Sequence, residues 1–264
     1  REFLVNANRN PQFSLDILLR LKGVNGVIPV VSYNPRGLNV TDIVTQANLL
    51  RKSFNTLAFR VESSTFDQAF VSISTLIRPG DYLIFDIGSA SHINPWLKPI
   101  YSRIAKEKKN IGFTSIIINS PRTKEVTNLG LEDGKPILTI DNSLRDYYKT
   151  HHFDGFGDYA GITDDLPTGG GSISPAGVYY SYQDNVFIGF RRNKVLSEFE
   201  DYIAPQIVHS PYWKEYSDTH HNNCPGCHSI AQIVRGKESG KSQAKWKGIT
   251  MAHYIYSIDE NLKP

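Results

Sequence analysis

Short apolar runs alternate with amphipathic stretches over residues 1–195, and this alternation narrows the possible folds more than any other property of the sequence. Apolar, β-branched runs are typical of buried strands, and apolar residues at helical spacing are typical of helices that cover a sheet. We predict strands at GVIPVVSY (26–33), TLAFRVE (56–62), DYLIFDIG (81–88), TSIIINS (114–120), PILTIDN (136–142), residues 153–159, VYYSY (178–182) and VFIGFRR (186–192). They recur about 25–30 residues apart, a rhythm that predicts a (β/α)8 TIM-barrel-like α/β fold. The alternative is an open doubly wound sheet, although no GxGxxG follows the first strand.

The rhythm stops near residue 196, where a helix, an aromatic cluster, a Cys/His segment, a basic loop and a last amphipathic stretch follow. We therefore predict a barrel-like domain over residues 1–195 and a C-terminal helical and loop cap over residues 196–264.

The composition excludes some classes of protein. The net charge of +3 and pI of about 8.7 permit a phosphate-bearing partner without requiring one. Cys224 and Cys227 are the two cysteines of the chain, which excludes a disulfide framework and favours a reducing compartment. No apolar run is long enough to cross a membrane, and the first residues do not resemble a signal peptide. A cytoplasmic protein without a membrane partner is expected.

Acids, amides and one arginine occupy the predicted carboxyl ends of the strands. In a barrel these ends converge on one rim, where carboxylates can bind Mg²⁺ or Mn²⁺ or act as general acid and base. The predicted catalytic residues are Asp86, Asp141 and Asp158. The predicted ligand-binding residues at the same rim are Arg60, Glu62, Asn119 and Tyr159. The alternative is that these side chains cap helices and neutralise one another.

The segment His220-His221-Asn222-Asn223-Cys224-Pro225-Gly226-Cys227-His228 has the composition of a metal-binding turn. A Cys-x-x-Cys turn offers two thiolates, and histidines can complete a tetrahedral zinc site. The predicted metal ligands are Cys224, Cys227, His221 and His228, with His220 and the distant His253 as further candidates. Two ordinary free cysteines and a redox pair remain the alternatives.

A basic loop over residues 235–247 carries five basic residues and Trp246, which could contact a phosphate backbone and stack on a base. Its Gly-Lys-Ser is not a P-loop, since Arg235 stands where the first glycine is required. A solvated surface loop is the alternative. His92, in the loop after the third predicted strand, is a candidate acid or base, although a lone histidine is more often structural.

Three motifs together resemble the "beta protein" family of T-even phages and its bacterial relatives. They are Gly155-Phe156-Gly157-Asp158-Tyr159, the Cys-x-x-Cys at 224–227, and the segment from Trp246 to Tyr254. The resemblance implies a role in phage–host conflict, as antiviral phage defence or as counter-defence. It points to Asp158, Tyr159, Trp246 and His253 as functional positions, and Ala252 stands where members often have another histidine.

The function expected from these observations is to bind or hydrolyse a phosphate-bearing ligand, such as a nucleotide or nucleic acid, at the rim of the barrel. A hydrolase of this kind would be a metal-dependent phosphoesterase. The alternative is a non-catalytic recognition module that binds a phage protein, a partner from a defence system or nucleic acid.

Overall fold

The computed structural model describes residues 11–33, 42–120, 128–137, 142–160, 175–192 and 195–262. The chain forms two compact units. The first unit comprises Arg1–Asn119 and Leu144–Gly157, and the second comprises Ser120–Ser143 and Asp158–Pro264. The predicted boundary at residue 195 therefore lies within the second unit.

Strands and helices alternate through the first unit, and helices dominate the second. The strands are β1 Val30–Ser32, β2 Ala58–Glu62, β3 Tyr82–Asp86, β4 Thr114–Asn119, β5 Lys135–Pro136, β6 Gly155–Asp158, β7 Gly177–Ser181 and β8 Val186–Phe190. The α-helices are α1 Pro11–Arg20, α2 Ile43–Arg51, α3 Phe66–Leu76, α4 Lys98–Ile111, α5 Leu144–Tyr147, α6 Ala204–His209, α7 Pro211–Lys214, α8 Asp218–Asn223, α9 Pro225–Val234 and α10 Gln243–Leu262. Short 3₁₀ turns occur at Ser63–Thr65, Pro95–Leu97, Asn128–Gly130 and Tyr148–His151, and Phe199–Ile203 is a π-helical turn.

The first unit is built on a five-stranded sheet in the order β1-β2-β3-β4-β6. The pairs β1–β2, β2–β3 and β3–β4 are parallel. Alternate residues such as Phe59, Leu83 and Phe85 lie in one apolar core with Phe66 and Tyr101, which come from α3 and α4. The ring of Phe85 contacts the edges of the Phe66 and Tyr101 rings at 5.5 and 6.1 Å between centroids. Helices α3 and α4 thus cover this face of the sheet.

The second unit contains a three-stranded antiparallel sheet in the order β5-β8-β7. Strands β7 and β8 form a hairpin through the turn Gln183-Asp184-Asn185, and Asn185 has the positive φ of 54° that such turns use. Trp246, from α10, is 1% exposed and belongs to a core that includes Tyr179 and Ile188 of the sheet.

The predicted TIM barrel is wrong. The parallel strands form an open sheet that ends at β1 and β6, whereas a barrel would close on itself. Three strands that we counted toward the eight, β5, β7 and β8, pair antiparallel in a separate sheet. The open α/β sheet of the alternative prediction fits this arrangement. Within the described residues, no helix is both long and apolar enough to cross a membrane.

Candidate metal centre

Helix α9 begins at the Cys-Pro-Gly-Cys turn. Cys224 is its N-cap residue, with extended backbone angles, and its Sγ accepts a hydrogen bond from the Cys227 N–H at 3.4 Å. Pro225 occupies the first helical position, where its missing N–H and fixed φ favour helix initiation. The two sulfur atoms are therefore presented together by the first turn of one helix.

Helix α10 brings a histidine to this turn. His253 is fully buried, and its Nδ1 lies 3.3 Å from the Cys227 Sγ and 3.6 Å from the Cys224 Sγ. Gly226 allows this approach, because a Cβ at that position would lie 2.5 Å from the Ile249 carbonyl oxygen and 2.7 Å from the His253 Cβ. The glycine of the motif therefore sets how closely the two helices pack.

His220, in the preceding helix α8, completes the group. One ligand atom from each of His220, Cys224, Cys227 and His253 lies within 4.8 Å of the other three, and all four residues are buried. A tetrahedral zinc with Zn–S and Zn–N bonds near 2.3 and 2.0–2.1 Å separates sulfur and nitrogen ligands by about 3.6 Å. The His253 distances of 3.3 and 3.6 Å match that separation. The structure therefore brings together a buried His₂Cys₂ group that can hold a metal ion such as zinc.

The outer nitrogen of each imidazole faces a hydrogen-bond acceptor. The Nε2 of His253 donates a hydrogen bond to the Tyr180 carbonyl oxygen at 2.9 Å. The Nδ1 is therefore unprotonated, and its lone pair faces the sulfurs. The Nδ1 of His220 lies 2.5 Å from a carboxylate oxygen of Glu260. The Nε2 of His220 is buried without a hydrogen-bond partner. Metal-bound histidines usually carry such an acceptor on the outer nitrogen, so both rings have the orientation and tautomer of metal ligands.

The electrostatics of the cysteine pair also favour a cation. The hydrogen bond from Cys227, and then the neighbouring imidazoles of His220 and His253, hold the pKa of Cys224 well below the usual thiol range. The pKa of Cys227 is raised, first by its hydrogen bond with Cys224 and then by burial. Ionisation of both buried sulfurs therefore requires a positive charge between them.

Two of the predicted ligands lie outside this group. His221 directs Nε2 to the Trp213 carbonyl oxygen at 3.1 Å, and its ring stacks on the Trp213 ring at 4.1 Å. His228 is exposed and hydrogen-bonds to Gln232. Sequence reasoning did not identify Glu260, Tyr180 or the close-packing role of Gly226.

The residues predicted at the strand ends belong to different parts of the chain. In the first unit, Arg60 donates from Nε to the Asp86 Oδ2 at 3.1 Å, and the Gly88 N–H donates to Oδ1 at 2.8 Å. Asp86 is 3% exposed, and the exposed Glu62 lies 3.8 Å from the Arg60 guanidinium. Asn119 is also buried. This edge of the sheet therefore presents one arginine held by a buried carboxylate.

Asp158 lies in the second unit and is hydrogen-bonded by the Tyr254 hydroxyl. The Ala160 N–H donates to the other Asp158 oxygen at 2.6 Å, and Ala160 has a positive φ of 50°. Burial raises the pKa of the Asp158 carboxyl to about 6, against the lowering effect of these two donors. Tyr159 follows directly, and Asp141 lies outside the described residues. A site shared by Asp86, Asp141 and Asp158 stays a prediction.

The basic loop is tied to acidic groups. Glu200 accepts hydrogen bonds from the Ser239 hydroxyl and the Gly240 N–H, and it lies 3.3 Å from the Lys241 Nζ. Lys245 pairs with Glu238 at 2.7 Å. The Trp246 Nε1–H donates to the Gly240 carbonyl oxygen at 2.9 Å, and its ring stacks on Phe199. The indole is thus part of the core that supports the loop.

The sequence model of the family described as Beta protein matches residues 4–258, nearly the whole chain. No curated protein and no solved structure matches the chain.

Proposed function

This chain belongs to the Beta protein family, and we propose that it is a zinc-stabilised protein that binds a phosphate-bearing ligand in phage–host conflict. The buried His₂Cys₂ group carries the first part of this proposal. Two thiolates and two imidazoles, whose ligand atoms lie within 4.8 Å of one another, are the donors that zinc prefers. All four positions are filled by protein and closed to solvent, an arrangement typical of structural zinc and unlike catalytic sites, which keep one position open.

The unpartnered nitrogen of His220 favours a metal over the two alternatives for the cysteines. A pair of ordinary thiols or a redox pair would not need a third and fourth donor aimed at the sulfurs. A buried imidazole nitrogen without a partner costs about 1–3 kcal/mol, and a metal ion removes that cost.

Elemental analysis of the purified chain tests this assignment. We expect one zinc per chain in the native protein and less than a tenth of that in Cys227→Ser with His253→Ala. The matched control is His228→Ala, which changes an exposed histidine next to the motif and should retain the zinc. A folded native protein without zinc, in which both thiols react with a thiol reagent at the same rate after chelation, would overturn the assignment.

The Arg60–Asp86 pair supports the second part of the proposal. Arg60 keeps about a third of its side chain exposed at the carboxyl edge of the parallel sheet, while the buried Asp86 fixes its orientation. A guanidinium held in this way can donate two parallel hydrogen bonds to a phosphate. Both oxygens of Asp86 already accept hydrogen bonds from protein groups, so these contacts favour ligand binding over metal-dependent hydrolysis.

Arg60→Ala is expected to weaken the binding of ATP and of inorganic phosphate at least tenfold, because the bidentate contact is lost. Arg60→Lys should recover only part of it, since an ammonium group lacks the planar fork. Calorimetric titration measures both. Arg103→Ala removes an exposed arginine of the same unit and serves as the control. Equal phosphate affinity in the native protein and in Arg60→Ala would contradict the proposal. Plaque counts on cells that express the native protein or Arg60→Ala test the role in phage infection.

A further inference from the structure

In the first unit, exposed aromatic rings and cationic side chains contact the buried His92 or lie close to it in sequence. Trp96 is 47% exposed and Tyr147 is 51% exposed, and Ile93, three residues before Trp96, is 68% exposed. Large apolar side chains with this exposure, grouped with polar neighbours, are typical of binding surfaces. We call the group of Ile93, Trp96, Tyr147, Lys98 and Lys149 the aromatic–basic face.

A buried scaffold holds the rings of this face. The His92 ring stacks against one side of Tyr147, with centroids 5.3 Å apart and planes 20° from parallel. The His92 Nδ1 and the His151 Nε2 are 2.8 Å apart, so one imidazole donates a hydrogen bond to the other. The Tyr101 hydroxyl donates to the His92 carbonyl oxygen at 3.0 Å. The exposed ring of Tyr147 therefore lies on a fixed support. Trp96 follows His92 by four residues, in the 3₁₀ turn Pro95–Leu97.

The charges around this scaffold are positive. Burial lowers the pKa of His151, and the neighbouring charges of His92, His152 and Lys98 lower it further. Lys149 lies over the Tyr148 ring, with its Nζ 5.7 Å from the centroid. The nearby acids are engaged with cations, as Asp146 pairs with Arg145 and Asp154 pairs with Lys108. The surface thus offers positive charge beside exposed rings.

We propose that the aromatic–basic face binds a single-stranded nucleic acid, with bases stacked on Trp96 and Tyr147 and phosphates near Lys98 and Lys149. Stacking platforms with adjacent cations are the means by which proteins hold single strands without reading their sequence. In a duplex the base faces are covered by their neighbours, so this surface selects unpaired strands. The inference rests on the proposed phosphate-bearing ligand and names its class.

The three tryptophans of the chain make the interaction directly measurable. Trp213 and Trp246 are 9% and 1% exposed, so the tryptophan emission that a ligand can quench by stacking comes from Trp96. We expect fluorescein-labelled (dT)20 to quench this emission and to bind with an affinity that falls as salt rises. A 20-base-pair duplex should bind at least tenfold more weakly than (dT)20.

Trp96→Ala and Tyr147→Ala should each weaken (dT)20 binding by about five- to 150-fold, the range for losing one stacked base. Trp96→Phe should retain most of the affinity, because it keeps a ring. Lys98→Ala should reduce the slope of log K against log salt by about 0.7. Val71→Ala changes a 61% exposed apolar residue of the same unit and should leave binding unchanged.

Fluorescence anisotropy at 50 and 200 mM salt measures these affinities, with melting curves to show that each variant is folded. The inference is overturned if folded Trp96→Ala and Tyr147→Ala bind (dT)20 as the native chain does, or if duplex binds equally well. Loss of binding in Arg60→Ala with no loss in the ring variants would leave phosphate binding at Arg60 standing and refute the aromatic–basic face. The reverse result would refute the role of Arg60 alone.

Discussion

Cys224→Ser is expected to abolish zinc binding. The second unit of this variant should no longer show a cooperative unfolding transition on heating from room temperature. Structural zinc contributes about 10–16 kcal/mol of apparent binding free energy in zinc-finger peptides at neutral pH. This binding free energy is as large as the whole free energy of unfolding of a typical natural domain, which is ~5–15 kcal/mol. The four ligands join α8, the start of α9 and α10, so loss of the metal removes a connection between three helices.

Serine at position 224 removes the metal ligand without disturbing the start of helix α9. Cys224 is the N-cap of α9, and serine is among the best N-cap residues, so the hydrogen bond from the Cys227 N–H is kept. Destabilisation in this variant therefore reports the loss of the metal ligand.

Scanning calorimetry and zinc analysis on the same samples check the expectation. Incubation of native protein with a zinc chelator should reproduce the melting curve of Cys224→Ser, and added zinc should reverse it. His228→Ser is the matched control, because it changes an exposed residue in the first turn of the same helix. A Cys224→Ser protein that is free of zinc and melts at the native temperature would show that the metal has no structural role.

The sequence predicted a metal centre but did not show which histidines belong to it. Cys-x-x-Cys and the neighbouring histidines predict a metal-binding turn, but not which rings face it. His220 precedes Cys224 by four residues, about one helical turn, whereas the next residue, His221, is rotated by about 100° and meets Trp213. His253 joins the group only through the packing of α10 on α9, which depends on contacts between distant parts of the chain.

The fold, too, was only partly predictable from the sequence. Apolar runs located β2, β3 and β4 correctly, since a strand covered by helices has a continuous apolar pattern. The same runs do not encode the direction of pairing, and so β7 and β8 were counted toward a barrel although they form an antiparallel hairpin. At the sheet edge, the register places Glu62 opposite Asp86 and lets Arg60 reach the same carboxylate. That ion pair could be anticipated only once the register was known.

Gly226→Ala is expected to weaken zinc binding by at least a hundredfold and to destabilise the second unit by about 1–3 kcal/mol or more, the usual cost of overpacking a core. The new methyl group would lie 2.5 Å from the Ile249 carbonyl oxygen, 2.7 Å from the His253 Cβ and 2.8 Å from the His253 backbone nitrogen. Two of these three atoms are backbone, so α10 must move away as a whole. His253 would move with it, and metal sites tolerate distance changes of only about 0.2 Å.

Competition with a chromophoric zinc chelator measures the affinity, and thermal melting measures the stability. Gly248→Ala is the matched control, because it makes the same change in α10 where a Cβ meets no atom within 4 Å. Alanine is a better helix former than glycine, so this control should raise stability by up to about 1 kcal/mol and leave zinc affinity unchanged. If both variants bound zinc as the native chain does, the close approach of the two helices would not determine the geometry of the site. If Gly226→Ala weakens zinc binding and Gly248→Ala does not, the close contact at position 226 is responsible. Glycine is then required at position 226 because His253 must reach the two sulfurs.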